Sequence, residues 1–175
     1  VLNSFVSIST YLLSIGELQL YYLLSFSLGT MCISMTTQVL NQIKERIIDG
    51  EMKRTQNRPM VKERISTNQA FALASLLNIS SMFFYSQLPL GIPTILFSNL
   101  ILFLYIQVYT PLKRVNNLSM HVGALVGALP ALLGSVASLG EFTIESWLLG
   151  AYIYFWQYPH FYGILYPNRA DYKKA

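Results

Sequence analysis

The chain is poor in charged residues. Of its 175 residues only 11% are Asp, Glu, Lys or Arg, whereas 53% are hydrophobic. Soluble domains usually carry about a quarter charged residues, so this composition excludes an ordinary soluble domain and indicates a membrane protein.

Cysteine is also scarce. Cys32 is the single one in the sequence, which excludes an intramolecular disulfide, and its place in an apolar run favours a small buried side chain.

Long apolar runs divide the sequence into candidate membrane helices, each of which needs about 20 residues to cross a bilayer. The runs cover residues 2–16, 18–40, 69–89, 92–110, 118–139 and 143–165. The first is short, and Pro130 is expected to kink the fifth. Gly123 and Gly127 form a GxxxG pattern, which is typical of closely packed membrane helices. We therefore predict an all-α fold, a polytopic transmembrane helical bundle.

The basic residues are distributed unevenly along the chain. All twelve Lys and Arg residues follow the second, fourth or sixth apolar run, and the remaining loops carry only Glu17, Glu141 and Glu145. The positive-inside rule places the three basic segments on one membrane face, cytoplasmic or matrix, with both termini. Because topology explains the basic pI of about 9.2, no nucleic-acid partner is expected.

An acidic stripe follows the second apolar run. Asn41, Glu45 and Asp49 recur at every fourth position, and four helical residues rotate a side chain by only about 40°. If the helix continues past the membrane edge, these residues form one polar stripe about 12 Å long. Carboxylate and amide oxygens suit Mg²⁺, which also takes water and phosphate oxygens. On spacing alone, a solvated amphipathic helix end is an equally good interpretation.

Further polar residues are predicted to reach the same membrane face. Lys53, Arg54 and Arg58 follow the stripe, and guanidinium groups pair well with phosphate oxygens. The ends of the fourth and sixth runs add Lys113, Arg114, Gln157, His160, Arg169 and Asp171. Each of these residues also has an ordinary role as a topology signal or an interfacial side chain. Their convergence at one end of the bundle favours a site for a metal ion and diphosphate.

Several motifs together resemble a known family. The pattern N-x-x-x-(D/E)-x-x-x-D, followed by MKRTQNRP, resembles the intramembrane prenyltransferases of the UbiA superfamily. Within that superfamily the stretches YTPLKR, VGALVGALP and WQYPHF…RADY are similar to the protoheme IX farnesyltransferases, from about residue 38 to the C-terminus. The resemblance implies a bundle of nine helices around a central cavity, about six of which this chain supplies. It also implies transfer of a farnesyl group from farnesyl diphosphate to the vinyl group of haem b. The product would be haem O, a precursor of haem A for cytochrome c oxidase.

The resemblance assigns roles to the polar residues. It implies that the catalytic set is Asn41, Glu45, Asp49 and Asp171, in which Glu45, Asp49 and Asp171 would bind Mg²⁺. The substrate-binding set would be Arg54, Arg58, Lys113, Arg114, Gln157, His160 and Arg169. The first four of these would contact the diphosphate, and His160 would lie near the haem. Because no residue is an obvious covalent nucleophile, ionisation of the allylic diphosphate is the expected mechanism.

The resemblance also sets expectations for the whole chain. Residues 1–175 are expected to form a single prenyltransferase domain that is incomplete at its C-terminus. The chain begins with Val1 and shows no cleavable presequence, so the N-terminus is expected to be processed or missing. The motifs NQxxE and WQxPHF resemble the mitochondrial members more closely, which suggests the mitochondrial inner membrane, with the bacterial plasma membrane as the alternative. Haem A synthase is a further expected partner.

Two other functions remain open at this point. A different UbiA-type prenyltransferase would use a quinone precursor or chlorophyllide as its acceptor, although the WQYPHF segment disfavours this choice. A non-catalytic membrane assembly or transport protein would use its charged residues for topology alone. Formation of haem O that depends on a metal ion would distinguish the prenyltransferase from both.

Overall fold

The protein is described by a computed structural model that covers residues 2–113 and 118–169. Every regular element in these ranges is helical. In chain order they are α1 (Leu2–Ser14), α2 (Leu20–Glu51), α3 (Thr67–Ser86), α4 (Gly91–Phe103), a π-helical segment (Leu104–Tyr109), α5 (Thr110–Leu112), α6 (Ser119–Ala128), α7 (Pro130–Leu139) and α8 (Ile144–Leu165). The predicted all-α fold is confirmed.

The helices of the described ranges combine into six rods at the six predicted positions. The fourth rod joins α4, the π-helical segment and α5, and the fifth joins α6 to α7 with a break at Leu129, directly before Pro130. By length and composition, three rods among the described residues can cross a membrane: Leu20–Glu51, Gly91–Leu112 and Ser119–Leu139. These apolar helices identify a membrane protein. For the other rods, a membrane crossing stays a prediction.

Successive rods run in opposite directions through the bundle, as the distribution of basic residues predicts. The turns that join α1 to α2, α3 to α4, and α7 to α8 lie at one end of the bundle. There the Tyr21 hydroxyl donates a 2.9 Å hydrogen bond to Gln87 Oε1, and the rings of Phe97 and Phe142 lie 5.5 Å apart. The basic segments that follow α2 and α5 therefore leave from the opposite end, together with the C-terminal end of α8.

Close packing of α2 against α3 forms part of the core. Tyr85 of α3 is fully buried, packs near Phe26, and donates a 3.1 Å hydrogen bond to the Thr30 hydroxyl of α2. Gly29 lies against the Tyr85 ring, and a Cβ atom at Gly29 would come within 2.7 Å of two ring carbons. The absence of a side chain at Gly29 therefore sets how closely the two helices approach.

We expect Gly29→Ala to lower the thermal unfolding temperature of the purified protein, because the added methyl must displace a ring that has no free space. Overpacking of this kind typically costs about 1–3 kcal/mol. Gly163→Ala is the matched control, since Gly163 is also helical but its Cβ position meets nothing within 4 Å. An unfolding temperature for Gly29→Ala equal to that of the wild type would show that Tyr85 repacks freely.

Candidate functional site

The polar stripe of α2 faces the interior of the bundle. Since α2 continues to Glu51, the membrane helix extends through all three stripe residues. Asn41 and Asp49 are only 7% and 4% exposed, and Glu45 is half-buried. The Asn41 side-chain amide donates a 2.8 Å hydrogen bond to Glu45 Oε2. The burial of these side chains contradicts the alternative interpretation of the stripe as a solvated helix end.

Asp49 is neutralised by a cation from the segment that follows α2. After Met52 the chain leaves the helix and folds back through a series of turns. This return brings Arg58 Nη1 to 2.5 Å from Asp49 Oδ2, and the Thr55 hydroxyl donates a 2.9 Å hydrogen bond to the Asp49 carbonyl. A buried carboxylate is costly unless a charge partner and hydrogen bonds compensate it. Arg58 supplies that compensation.

Glu45 is neutralised in the same way by the end of the fourth rod. Lys113 Nζ lies 3.1 Å from Glu45 Oε1 and 4.6 Å from the centre of the Tyr109 ring. Both Glu45 oxygens are thus engaged, one by Lys113 and the other by Asn41. Two cations from separate segments therefore converge on the two carboxylates of the stripe.

The π-helical segment aligns the fourth rod with the stripe. Pro111 has no N–H to donate to the carbonyl of Gln107, which disrupts the regular helix one turn earlier. The Thr110 hydroxyl donates a 2.8 Å hydrogen bond to the Tyr105 carbonyl and lies 3.4 Å from Asn41 Oδ1. From α2, Lys44 Nζ donates to the Ile106 carbonyl at 3.0 Å. Such π-helical turns are often found at functional sites.

A cavity of about 340 Å³ adjoins the stripe. Its lining includes Gln38, Tyr105, Tyr109, Gly127, Gln157 and His160. Gln38 lies one helical turn before Asn41, and Tyr109 contacts Lys113, so the cavity and the stripe meet at this end of the bundle. The two tyrosine rings lie 5.3 Å apart in an edge-to-face arrangement. A ligand with a charged head and an apolar tail could place its head at the stripe and its tail in the cavity.

The GxxxG pattern makes room for two side chains of the cavity wall. Gly123 of α6 lies against the ring of Tyr109, and a Cβ atom at Gly127 would come 2.7 Å from Gln157 Nε2. Gln157 is buried at 7% exposure. The close packing expected of this pattern is therefore observed. The two glycines leave space that the side chains of Tyr109 and Gln157 occupy.

The remaining predicted site residues fall at different places. Gln157 and His160 line the cavity, and the His160 ring stacks on Trp156 with ring centres 4.8 Å apart. Arg54 is exposed in the turns after α2 and takes no part in the ion pairs of the stripe. Arg169 lies over the Tyr166 ring at the end of α8. Two predicted residues, Arg114 and Asp171, lie outside the described residues.

Thr110, Tyr105 and Tyr109 were not predicted as site residues. The Thr-Pro pair at positions 110 and 111 was the available signal, since a proline near a helix end disturbs the turn before it. The contact between Thr110 and Asn41 depends on the π-helical geometry, which helical periodicity does not reveal. Thr55 was also missed, and its position follows from the turns after α2.

The oxygen donors of the stripe fit a hard cation. They are two carboxylates and one amide oxygen, and Mg²⁺ typically takes one or two carboxylates and completes its shell with water and phosphate. Within residues 2–113 and 118–169 no group of three His, Cys, Asp or Glu side chains is placed to hold a metal ion. A cation held by these oxygens would complete its shell with oxygens from outside the stripe, such as those of water or phosphate.

The fold and the site define a class of protein: a helical membrane protein with an ion-paired acidic stripe next to an internal cavity. The same helical arrangement occurs in the apo structure of a UbiA homologue from Aeropyrum pernix K1, with a TM-score of 0.73 and 22% identity. That match covers 89% of this chain and 58% of the other. The model of the UbiA prenyltransferase family matches residues 2–175. The chain belongs to the UbiA prenyltransferase family.

Curated relatives share the name that the sequence motifs suggested. The chain is 42% identical over 175 residues to a protoheme IX farnesyltransferase of Flavobacterium psychrophilum, a match that covers 98% of this chain and 57% of the relative. A mitochondrial protoheme IX farnesyltransferase of Arabidopsis thaliana is 40% identical over 148 residues, with 82% and 33% coverage. The chain thus spans little more than half the length of the bacterial relative. Its relatives come from bacteria and from mitochondria.

Proposed function

We propose that this chain transfers a farnesyl group from farnesyl diphosphate to the vinyl group of haem b, forming haem O. The observation that carries the proposal is the placement of the Asn41–Glu45–Asp49 stripe and its two cations next to the cavity, whose lining includes Gln38 and Tyr109. The names of the relatives support the choice of substrates. The six rods would belong to one prenyltransferase domain, and the reaction would serve haem A biosynthesis for cytochrome c oxidase.

The stripe and its cations would bind the diphosphate head. Asn41, Glu45 and Asp49 would hold Mg²⁺, which when bound supplies positive charge that stabilises a departing diphosphate. Arg58 and Lys113, which pair with the two carboxylates, would also pair with diphosphate oxygens. From the sequence motifs alone, we propose that three further residues help to bind the same head group: Asp171, Arg114 and Arg54.

The cavity would hold the farnesyl chain and shield the reacting carbon from water. Ionising an allylic diphosphate breaks a C–O bond and leaves positive charge on carbon, which aromatic faces stabilise. Tyr105 and Tyr109 line the cavity, and Tyr109 also contacts Lys113, so these two rings are the candidates for this role. The vinyl group of haem b would then attack as the nucleophile, and water would quench the resulting cation.

The cavity wall on α8 would receive the haem. Gln157 and the stacked pair of Trp156 and His160 lie on this wall, and Arg169 follows at the end of the helix. Planar aromatic and imidazole rings offer a face on which a porphyrin can stack. The NQxxE and WQxPHF motifs lead us to propose that the protein lies in the mitochondrial inner membrane. Haem A synthase is a further proposed partner.

The test is haem O formation by the purified chain in lipid nanodiscs with farnesyl diphosphate, haem b and Mg²⁺, measured by mass spectrometry. The Flavobacterium psychrophilum relative serves as the positive control, and EDTA should abolish the product. Reactions with 4-hydroxybenzoate or chlorophyllide in place of haem identify a different acceptor. The proposal fails if the relative forms haem O and this chain does not, or if EDTA leaves the yield unchanged.

A further inference from the structure

Both carboxylates of the stripe are already ion-paired within the chain. Arg58 Nη1 lies 2.5 Å from Asp49 Oδ2, and Lys113 Nζ lies 3.1 Å from Glu45 Oε1. We infer that Arg58 and Lys113 exchange partners on substrate binding: each holds a carboxylate beforehand and moves to the diphosphate when a divalent cation takes that carboxylate. The inference rests on the proposed function for the identity of the ligand, and it adds how the site regulates metal binding.

The pairing of the two carboxylates follows from burial. The Asp49 side chain is only 5% exposed, and an isolated carboxylate at such a position is strongly disfavoured. Arg58 removes that cost by pairing with it, and Lys113 does the same for Glu45, whose side chain is 15% exposed. The two cations therefore neutralise the two carboxylates.

The same pairing opposes a divalent ion that arrives alone. Each cation occupies carboxylate oxygens that the metal would use, and like charges repel strongly where solvent screening is weak. A diphosphate removes this obstacle, because its oxygens accept both a guanidinium and an ammonium group. Metal and diphosphate should therefore bind cooperatively, each raising the affinity of the protein for the other.

Both cations are partly exposed to solvent. The Arg58 and Lys113 side chains are 28% and 30% exposed, so an incoming ligand can reach each of them. Arg58 comes from the turns after α2, and Lys113 follows α5. A third ion pair among the described residues, between Arg46 and Glu63, involves neither carboxylate of the stripe, and its side chains are 40% and 75% exposed.

The test measures Mn²⁺ affinity of the full chain by electron paramagnetic resonance, with and without inorganic pyrophosphate. For Arg58→Gln and Lys113→Gln we expect bare Mn²⁺ to bind roughly threefold to tenfold more tightly than in the wild type. The enhancement by pyrophosphate should shrink in both variants. Arg46→Gln is the matched control, since it removes a cation from the Arg46–Glu63 pair, and both affinities should equal those of the wild type.

Two further variants keep the test independent of folding. Arg58→Lys retains the charge and should behave like the wild type, whereas Asp49→Asn with Arg58→Gln removes both charges and should lose the gain in Mn²⁺ affinity. Weaker or unchanged bare Mn²⁺ binding by Arg58→Gln would overturn the exchange while leaving haem O formation intact. Absence of Mn²⁺ binding by the wild type even with pyrophosphate would overturn both the exchange and the proposed metal role.

Discussion

Replacing Asp49 by Asn is expected to lower haem O formation roughly tenfold to a hundredfold at limiting Mg²⁺. The change keeps the size of the side chain but removes the charge that attracts the metal, and a charged contact is commonly worth about 1.5–3 kcal/mol. Turnover should fall further than binding, because the same charge would help to stabilise the leaving group in the transition state. The measurement is haem O per folded protein at limiting and saturating Mg²⁺.

The control for this variant is Glu63→Gln, which also removes one carboxylate from an ion pair but at an exposed position. Its turnover should match that of the wild type at both Mg²⁺ concentrations. Asp49→Asn should still fold, because a neutral side chain is cheaper to bury than a carboxylate. Turnover by Asp49→Asn equal to that of the wild type at limiting Mg²⁺ would leave the metal role without support.

Gly127→Leu is expected to weaken farnesyl diphosphate binding roughly tenfold or more, about 1.4 kcal/mol. Even a Cβ atom at this position would meet the Gln157 amide at 2.7 Å, so a leucine must displace Gln157 or project into the cavity. Binding of Mn²⁺ and inorganic pyrophosphate should change little, because neither ligand uses the cavity. The two affinities, measured on the same preparation, separate a loss of cavity space from damage to the stripe.

Gly163→Leu provides the matched control for Gly127→Leu. Gly163 is a helical glycine of α8 whose Cβ position is open, so the same substitution there should leave both affinities unchanged. If Gly127→Leu retained the wild-type affinity for farnesyl diphosphate, the prenyl chain would not occupy this cavity. If pyrophosphate binding fell equally, the substitution would have disturbed the bundle as a whole.

The main features of the fold could be predicted from the sequence because each depends on a local signal. Apolar runs of membrane length located the rods, and the basic segments after every second run fixed the alternation of their ends. The four-residue spacing of Asn41, Glu45 and Asp49 placed them on one face, which required only that α2 remain helical to Asp49. The break at Leu129 followed from Pro130.

The partners of the stripe were harder to predict because they depend on tertiary geometry. Arg54 and Arg58 are four residues apart, so they would share a face on a helix. The chain leaves the helix after Met52, however, and the turns direct Arg58 to Asp49 while Arg54 stays exposed. Spacing rules apply only where the regular element continues.

The π-helical segment was beyond sequence analysis for a related reason. Its wider turn shifts the register of all residues that follow it, which brings Thr110 to Asn41 and Lys113 to Glu45. Pro111 indicates that the helix is disturbed, but it does not specify how the freed carbonyl groups are satisfied. In the π-helical register the residue at position 111 would donate to the Ile106 carbonyl, five positions earlier, and Lys44 Nζ donates to that carbonyl instead.

The most direct measurement is the position of Mn²⁺ in crystals of the full chain grown with Mn²⁺ and a non-hydrolysable thio analogue of farnesyl diphosphate. Anomalous scattering locates the ion independently of any activity. We expect a peak within coordination distance of Asp49, with the prenyl tail in the cavity between Tyr105 and Gln157. A Mn²⁺ peak and a prenyl tail located elsewhere, with the Asp49–Arg58 and Glu45–Lys113 pairs unchanged, would contradict the proposed site.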